Sequence, residues 1–165
     1  METNATNAEQ DARARLSRIE ENRRIMHVYF DALFSKDMAP LLALIDDHVE
    51  WLVVPTGDVY RGKEELERGA MNHWSASPDR IKTLVNLFVD EDFACLEYRT
   101  GGTLTKRADF PSVSFQPTGT RYEFQCCFVF TLVNGKIAKV HEYFDMESIK
   151  RQLAGSAPAA APSGK

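Results

Sequence analysis

The amino-acid sequence predicts an α+β fold in which a curved, mixed or antiparallel sheet wraps around helices from the amino-terminal part of the chain. Apolar residues recur at helical spacing up to about residue 74, and from residue 81 onward their period changes to two. The helices are too few and too early for a doubly wound parallel sheet. Long twisted strands with one apolar face must curl around a cover, so we expect a cone-shaped sheet with a cavity at its open end.

Three helices and one strand are expected before residue 80. In the first helix, apolar residues from Leu16 to Leu33 share one side, and charged residues occupy the other. Asp37 precedes the second helix, where it can cap free backbone N–H groups, and Pro40 lies in the tolerated first turn. The expected bounds are 38–45 for the second helix, 49–54 for the strand and 63 to about 74 for the third helix, after the turn-rich segment 55–62.

Alternating apolar residues predict four strands in the second half of the chain. The longest strand places on one face Tyr122, Phe124, Cys126, Phe128, Phe130 and Leu132. Asn134-Gly135 is a strong signal for a tight turn, because both residues tolerate positive φ, so the last two strands should form a hairpin. The expected strands are 81–89, 93–105, 120–133 and 136–144, followed by a short helix over 146–153.

Size, charge and composition exclude several classes of function. The chain has 165 residues and a net charge of −4, so neither nucleic-acid binding nor docking on an anionic membrane is expected. The amino terminus lacks the apolar stretch of a signal peptide, and no run is long enough to span a membrane, which predicts a cytoplasmic protein. We expect one domain, 13–153, between disordered tails at 1–12 and 154–165.

The order of these elements and several short motifs resemble the SnoaL-like polyketide cyclases. The matching segments are Tyr60-x-Gly62 before the third helix, Pro117-Thr118-Gly119 before the longest strand, Asn134-Gly135-Lys136-Ile137 at the hairpin and Glu142-Tyr143-Phe144-Asp145 at the end of the last strand. This resemblance implies the nuclear transport factor 2-like superfamily, a cystatin-like α+β roll whose members include ketosteroid isomerase, scytalone dehydratase and limonene epoxide hydrolase. It covers about residues 20–153 and is more specific for the fold than for a reaction.

Asp145 is the expected catalytic residue, because the resemblance implies an acid/base aspartate at the end of this strand. A carboxyl in an aromatic-lined cavity has its pKa raised toward neutrality, where it can transfer protons. His141 lies four residues earlier, so on a regular strand it shares a face with Asp145, with Tyr143 between them. His141 is expected to assist Asp145, and Tyr143 to contact the substrate. The alternatives are that Asp145 only caps the last helix and that His141 is structural or exposed.

A second group of charged residues resembles the aspartate and arginine arrangement of the epoxide hydrolases in this superfamily. Arg107-Ala108-Asp109 has the Arg-x-Asp form that supports a second aspartate in those enzymes. Glu97 and Arg99 share a face of the preceding strand and can occupy the equivalent positions instead. Either pair is therefore a candidate for contact with the substrate. For Arg107 and Asp109, a solvated loop ion pair is the favoured interpretation.

Large aromatic side chains are expected to wall the cavity or its mouth. The candidates are Trp51, Tyr60, Trp74 and Phe88. Tyr60 and Trp74 have the stronger case, because the resemblance places them beside the loop and helix that cover the open end. The alternative is that these aromatics are plain core residues.

These observations predict a cofactor-independent enzyme that moves protons on a small apolar carbonyl or hydroxyl compound, by isomerisation, aldol-type cyclisation or dehydration. The sequence shows no phosphate-binding loop, metal cluster or cofactor motif, so no cofactor and no metal are expected. The expected partners are a small-molecule substrate and a second copy of the chain, joined through the exposed face of the sheet. Two alternatives are a non-catalytic binding or dimerisation module and an epoxide hydrolase.

Overall fold

The computed structural model describes residues 2–154, with side chains from residue 7 onward. Its helices are α1 (Glu2–Ala32), α2 (Ala39–Leu42), α3 (Gly62–Ser75) and α4 (Met146–Ala154). Its strands are β1 (Ile45–Val53), β2 (Asp58–Arg61), β3 (Ile81–Val89), β4 (Phe93–Thr103), β5 (Ala108–Asp109), β6 (Ser114–Phe115), β7 (Arg121–Val133) and β8 (Lys136–Phe144). Within this part of the chain, no helix combines the length and the hydropathy needed to cross a membrane.

Six strands form one curved sheet in the order β2-β1-β8-β7-β4-β3. β1 and β8 run parallel, and every other neighbouring pair in this sheet is antiparallel. β5 and β6 form a separate two-stranded hairpin. The predicted α+β fold, with a curved and mostly antiparallel sheet over amino-terminal helices, is confirmed.

The inner face of the sheet packs against α1. Along β7 buried and exposed side chains alternate, and the buried face is the apolar one that the sequence predicts. Met26 and Tyr29 of α1 are fully buried, and the Tyr29 ring meets Phe130 edge to face with the ring centroids 5.1 Å apart. Each large side chain removed from water contributes roughly 1.5–3 kcal/mol, so these contacts hold α1 across the sheet.

The predicted hairpin joins β7 and β8. Asn134 and Gly135 have φ values of 51° and 72°, both in the left-handed region that a type I′ turn requires. The turn pairs Val133 with Lys136 and sets the two strands so that Phe128 lies opposite Glu142. This register decides which residues of β8 face the interior.

Several segments differ from the sequence predictions. Residues 2–12 continue α1 instead of forming a disordered tail, because their Ala, Glu and Gln residues favour helix. β1 begins at Ile45 rather than at Val49. The turn-rich segment 55–62 contains β2, which folds back on β1. Residues 155–165, which the sequence assigns to a disordered tail, lie outside the described residues.

Candidate active site

A cavity lies between the inner face of the sheet and helices α1, α3 and α4, with a volume of about 90 Å³ open to water-sized molecules. Its wall is mostly aromatic and aliphatic, and includes Phe34, Trp74 and Phe124. Of the described residues on this wall, Glu142 and Arg80 are the two with a formal charge at neutral pH. An apolar hollow with a few convergent polar groups is typical of a small-molecule site.

Glu142 lies on the inner face of β8, opposite Phe128 of β7, and part of its surface faces the cavity. Its Oε2 accepts a hydrogen bond from Trp51 Nε1 at 2.9 Å. Burial raises the pKa of Glu142 to about 7, although the Trp51 hydrogen bond and the charge of Arg80 oppose this change. A carboxyl with this pKa gains and loses its proton near neutral pH, as a general acid or base must.

Trp51 holds the Glu142 carboxyl in place. Its side chain is 7% exposed and packs edge to face on Phe128, with the ring centroids 5.4 Å apart. The parallel pairing of β1 with β8 sets Trp51 opposite Val140, on the same inner face as Glu142. An indole N–H can only donate, so this hydrogen bond favours the ionised form of Glu142 and fixes the position of one oxygen.

A cluster of polar side chains surrounds Arg80, which immediately precedes β3. Arg80 Nη2 donates to Nε2 of His73 at 2.9 Å and to the hydroxyl of Tyr122 at 3.3 Å. An arginine side chain only donates, so His73 Nε2 accepts and the imidazole is the neutral tautomer protonated at Nδ1. Burial, together with the charge of Arg80, holds the pKa of His73 well below its usual range. Ser77 Oγ lies 3.0 Å from the Tyr122 hydroxyl and completes the group.

Tyrosine hydroxyls supply further hydrogen-bond donors on the cavity wall. Burial, above all, raises the pKa of Tyr29 and Tyr98 well above the usual range, and it raises the pKa of Tyr60 to about 12. The Tyr29 hydroxyl is buried and has no hydrogen-bond partner among the described residues. These three hydroxyls stay protonated at neutral pH and can donate to an oxygen of a bound molecule.

Asp145 lies outside the cavity, which corrects its expected position. Its side chain is 63% exposed, and its Oδ2 lies 3.7 Å from Nη2 of Arg151. Its Oδ1 accepts a hydrogen bond from the backbone N–H of Ser148 at 2.9 Å, which makes Asp145 the N-terminal cap of α4. β8 ends at Phe144, so the chain has already turned into the helix at this point. The helix-cap alternative describes these contacts.

His141 and Tyr143 lie on the outer face of β8, so their expected place in the cavity is also corrected. Their rings pack edge to face with the centroids 6.5 Å apart. From residue 140 to its end, β8 has Val140, Glu142 and Phe144 on its inner face, and the period of two turns His141 and Tyr143 away. The apolar residues Val140 and Phe144 are the feature of the sequence that indicates which residues of β8 face inward.

Glu97, Arg99 and Phe88 lie on the outer face of the sheet and not in the cavity. Glu97 accepts a hydrogen bond from Gln125, and Arg99 Nε lies 3.5 Å from a carboxylate oxygen of Glu123. Phe88 is 63% exposed. Their expected contact with a substrate in the cavity is corrected, because their strand positions alternate with residues such as Leu96 and Tyr98 that face inward.

Arg107 and Asp109 pair with each other at the surface. Arg107 Nε donates to Asp109 Oδ1 at 2.6 Å, and the two side chains are 57% and 45% exposed. These contacts agree with the solvated ion pair that the sequence favours for these two residues. The two carboxylates of an epoxide hydrolase arrangement are therefore not brought together here, since Asp109 and Asp145 both point to solvent.

Trp51, Tyr60 and Trp74 line the cavity, as the sequence suggests for the large aromatics. The Trp74 ring meets Phe34 edge to face with the centroids 5.3 Å apart. Tyr60 packs directly against Gly69 of α3, where a Cβ would lie 2.5 Å from its ring. A larger residue at position 69 would therefore push Tyr60 out of place.

Several residues of the site were not among the sequence candidates, and they include Glu142, Arg80, His73 and Tyr29. Glu142 stands in a motif that the resemblance had already selected, and only the phase of the strand was misjudged. His73 lies in the last turn of α3, on the side of the helix that carries Leu66 and Trp74, so its position was predicted but its polar role was not. Arg80 lies between α3 and β3, where no periodicity indicates burial. Tyr29 follows the helical pattern of α1, which does not separate a cavity residue from a core residue.

The fold and the cavity together define a class of protein. A curved sheet over amino-terminal helices, with the hollow between them, is the nuclear transport factor 2-like or ketosteroid isomerase-like fold. The model of the SnoaL-like domain family matches residues 27–140, and the chain belongs to this family. No curated protein matches the chain.

Solved structures share this fold at low sequence identity. A protein from Jannaschia sp. CCS1, described as a candidate SnoaL-like polyketide cyclase, is 16% identical over 85% of this chain and 94% of that chain, with a TM-score of 0.73. AclR from Streptomyces galilaeus, described as a candidate hydroxylase, is 17% identical over 87% of this chain and 91% of that chain, with a TM-score of 0.68. A protein with a ketosteroid isomerase-like fold from Catenulispora acidiphila DSM 44928, solved with trimethylamine, is 14% identical over 79% of this chain and 92% of that chain, with a TM-score of 0.64. Likeness at these identities shows the fold and leaves the reaction to this chain's own residues.

Proposed function

We propose that this protein catalyses cofactor-independent acid/base chemistry on a small, largely apolar carbonyl or hydroxyl compound, with Glu142 as the acid and base. The proposal depends on one observation, a half-buried carboxyl on the wall of an aromatic cavity, whose pKa is raised to about 7 by its loss of hydration. The family resemblance leads to Asp145 for this role, but Asp145 caps α4 in solvent. Glu142 belongs to the same motif and faces the cavity.

In the proposed reaction the Glu142 carboxylate removes a proton from the carbon next to the substrate carbonyl. The electron pair of the broken C–H bond moves into the carbonyl and forms an enolate, whose oxygen accepts hydrogen bonds from the hydroxyls of Tyr29 or Tyr98. Protonated Glu142 then returns the proton to the same carbon or to a conjugated one, so charge and atoms balance without a cofactor. Loss of a β-hydroxyl as water, or attack of the enolate on a second carbonyl, extends the same step to dehydration or cyclisation.

The proposal predicts exchange of substrate hydrogen with solvent. The wild-type protein, incubated in D2O with a panel of small cyclic and aryl ketones, should place deuterium on the carbon next to the carbonyl, which NMR detects. Glu142→Gln should slow this exchange about 10²–10⁴-fold, because an amide can accept the Trp51 hydrogen bond but cannot take up the proton. Glu97→Gln is the matched control, since it removes a carboxyl from the outer face, and it should exchange at the wild-type rate.

Three other results would change the proposal. Exchange at the wild-type rate in Glu142→Gln would contradict the role of Glu142. Binding of panel compounds with no exchange and no rearrangement would favour the non-catalytic binding module. Transfer of ¹⁸O from labelled water into a product formed from an epoxide would favour the epoxide hydrolase.

We also propose that the chain forms a homodimer through the outer face of the sheet. Phe88, Phe93 and Val129 are 63%, 56% and 39% exposed there. Phe88 and Val129 both pair with Cys95 of β4, one from each side, so the apolar surface is continuous across three strands. Exposed apolar patches of this kind are typical of protein contacts.

Light scattering tests the homodimer. The wild type should give twice the mass of the chain, and Phe88→Asp should give the mass of a single chain. A monomeric wild type would contradict the proposal.

A further inference from the structure

Arg80 lines the cavity and carries hydrogen-bond donors that have no partner among the described residues. Its Nη2 donates to His73 and Tyr122, and its guanidinium lies over the ring of Phe34, 4.7 Å from the centroid. Its Nε and Nη1 are buried and have no hydrogen-bond partner among the described residues. Buried donors without partners are costly and uncommon in folded proteins, so this pair of atoms indicates a missing acceptor.

Arg80 also lacks a counter-ion. Within residues 7–154, no carboxylate oxygen lies within 4.0 Å of its guanidinium nitrogens. Its two hydrogen-bond partners are a neutral imidazole and a phenol, and neither carries charge. A guanidinium stays protonated at every physiological pH, and a buried charge without a partner destabilises the fold.

Glu142 does not supply the missing negative charge. The two residues line the same cavity, but the Glu142 carboxyl accepts its hydrogen bond from Trp51 and not from Arg80. With its pKa raised to about 7, Glu142 is ionised only in part at neutral pH. The cavity therefore keeps an excess of positive charge at the Arg80 end.

We propose that the cavity binds a small, largely apolar organic acid, whose carboxylate accepts hydrogen bonds from Nε and Nη1 of Arg80. This inference rests on the proposed function, because it names the class of substrate for the same cavity. The apolar remainder of the acid packs on the aromatic wall between Arg80 and Glu142. A single guanidinium balances one negative charge, so a monocarboxylate fits better than a phosphate, which carries about −1.5 to −2 charges at neutral pH.

His73 is the positioning residue in this arrangement. Its neutral Nε2 accepts from Arg80 Nη2 at 2.9 Å, and its ring packs on Phe110 with the centroids 4.8 Å apart. A protonated imidazole at this distance would repel the guanidinium, and burial opposes that protonation. His73 and Tyr122 together hold Nη2 of Arg80, so Nε and Nη1 are the donors left without a partner among the described residues.

The test compares acids with amides of the same shape. Benzoate with benzamide, and butyrate with butyramide, are titrated into the protein at pH 6 by calorimetry. Quenching of tryptophan fluorescence gives an independent signal, since the chain has two tryptophans, Trp51 and Trp74, and both line the cavity. The wild type should bind the acid of at least one pair about tenfold more tightly than its amide, because a charge-assisted hydrogen bond is much stronger than a neutral one.

Two variants of Arg80 and one control variant test whether Arg80 causes the preference for the acid over its amide. Arg80→Gln should abolish the preference for the acid, and Arg80→Lys, which keeps the charge, should retain most of it. Arg99→Gln removes the same charge from the outer face, where Arg99 is 58% exposed, and should leave the preference unchanged. If Arg80→Gln fails to fold, the wild type and Arg80→Lys still decide the question. Equal affinity for acid and amide in the wild type, no binding of any acid, or a preference that survives in Arg80→Gln would overturn the proposal.

Glu142→Gln separates this inference from the proposed function. The variant should keep the preference for the acid while it loses deuterium exchange. A preference for the acid in a protein that shows no exchange would leave the inference standing and contradict the proposed function. Exchange on neutral ketones without any preference for the acid would contradict the inference alone.

Discussion

Two carboxyl groups at the end of β8 stand three positions apart in the sequence and in opposite surroundings. Glu142 is half-buried on the wall of the aromatic cavity, where loss of hydration raises its pKa to about 7. The Asp145 side chain is 63% exposed and caps α4. Both belong to the motif that the family resemblance selects, so the motif alone does not identify the acid or base. Burial raises the pKa of Glu142 toward neutrality, and this difference in surroundings is the reason for proposing Glu142 as the acid and base.

The arginines on the two sides of the sheet show the same contrast. Arg99, on the outer face, lies 3.5 Å from a carboxylate oxygen of Glu123 and is mostly hydrated. Arg80, on the inner side, contacts only neutral partners among the described residues. A solvated pair of this kind is worth little, about 0–1 kcal/mol, whereas an unpaired buried charge is costly. The inner side of the sheet therefore gives up stability where a ligand is expected to bind.

Among the expected differences between the inner and outer carboxyls, the largest is the contribution of Glu142 to the pH dependence of the free energy of unfolding. Its pKa rises from its ordinary value of 4.5 to about 7 on folding, so the folded chain holds this proton more tightly than the unfolded chain. Its contribution to stability is complete below about pH 4.5 and is lost as the pH rises to about 7, with a loss of up to about 3 kcal/mol. Urea unfolding of the wild type and of Glu142→Gln, from pH 5 to pH 8, measures the difference.

Glu142→Gln should gain stability relative to the wild type as the pH rises, because its amide has no charge to bury. Other groups titrate equally in both proteins, and His73 among them acts in the opposite direction, since a histidine with a lowered pKa weakens the fold as the pH falls. The difference between the two curves removes these shared contributions. Parallel curves from pH 5 to pH 8 would show that Glu142 is not buried as described.

Much of the fold could be predicted from the sequence, because its signals are local and strong. The period of two predicted the bounds of β3 and β8 at 81–89 and 136–144, and Asn134-Gly135 predicted the tight turn between β7 and β8. The cavity followed from the curvature of long strands, and three of the four aromatic candidates line it. These features depend on patterns within a few residues or on the general twist of sheets.

The chemistry of the site was harder to predict, because it depends on the phase of one strand and on contacts between distant elements. A change of one residue in the phase of β8 exchanges Glu142 for His141 and Tyr143 in the cavity. Val140 and Phe144 mark the inner face and were the available signal. For Arg80 no local signal exists, since its burial results from packing against Phe34 of the α1–α2 connection and Tyr122 of β7.

The smallest expected effect is the loss of stability when Asp145, the exposed carboxyl of the pair, is replaced. Asp145→Ala removes the oxygen that accepts the Ser148 backbone N–H, and loss of a helix cap costs about 1 kcal/mol, or a fall in the melting temperature of roughly 2–4 °C. Asp145→Asn is the matched control, because asparagine caps helices about as well as aspartate, and it should melt close to the wild type. Neither substitution should slow deuterium exchange. If Asp145→Asn kept its stability and lost exchange, the exposed carboxyl would be needed for the reaction, and the assignment of acid and base to Glu142 would have to be withdrawn or shared between the two groups.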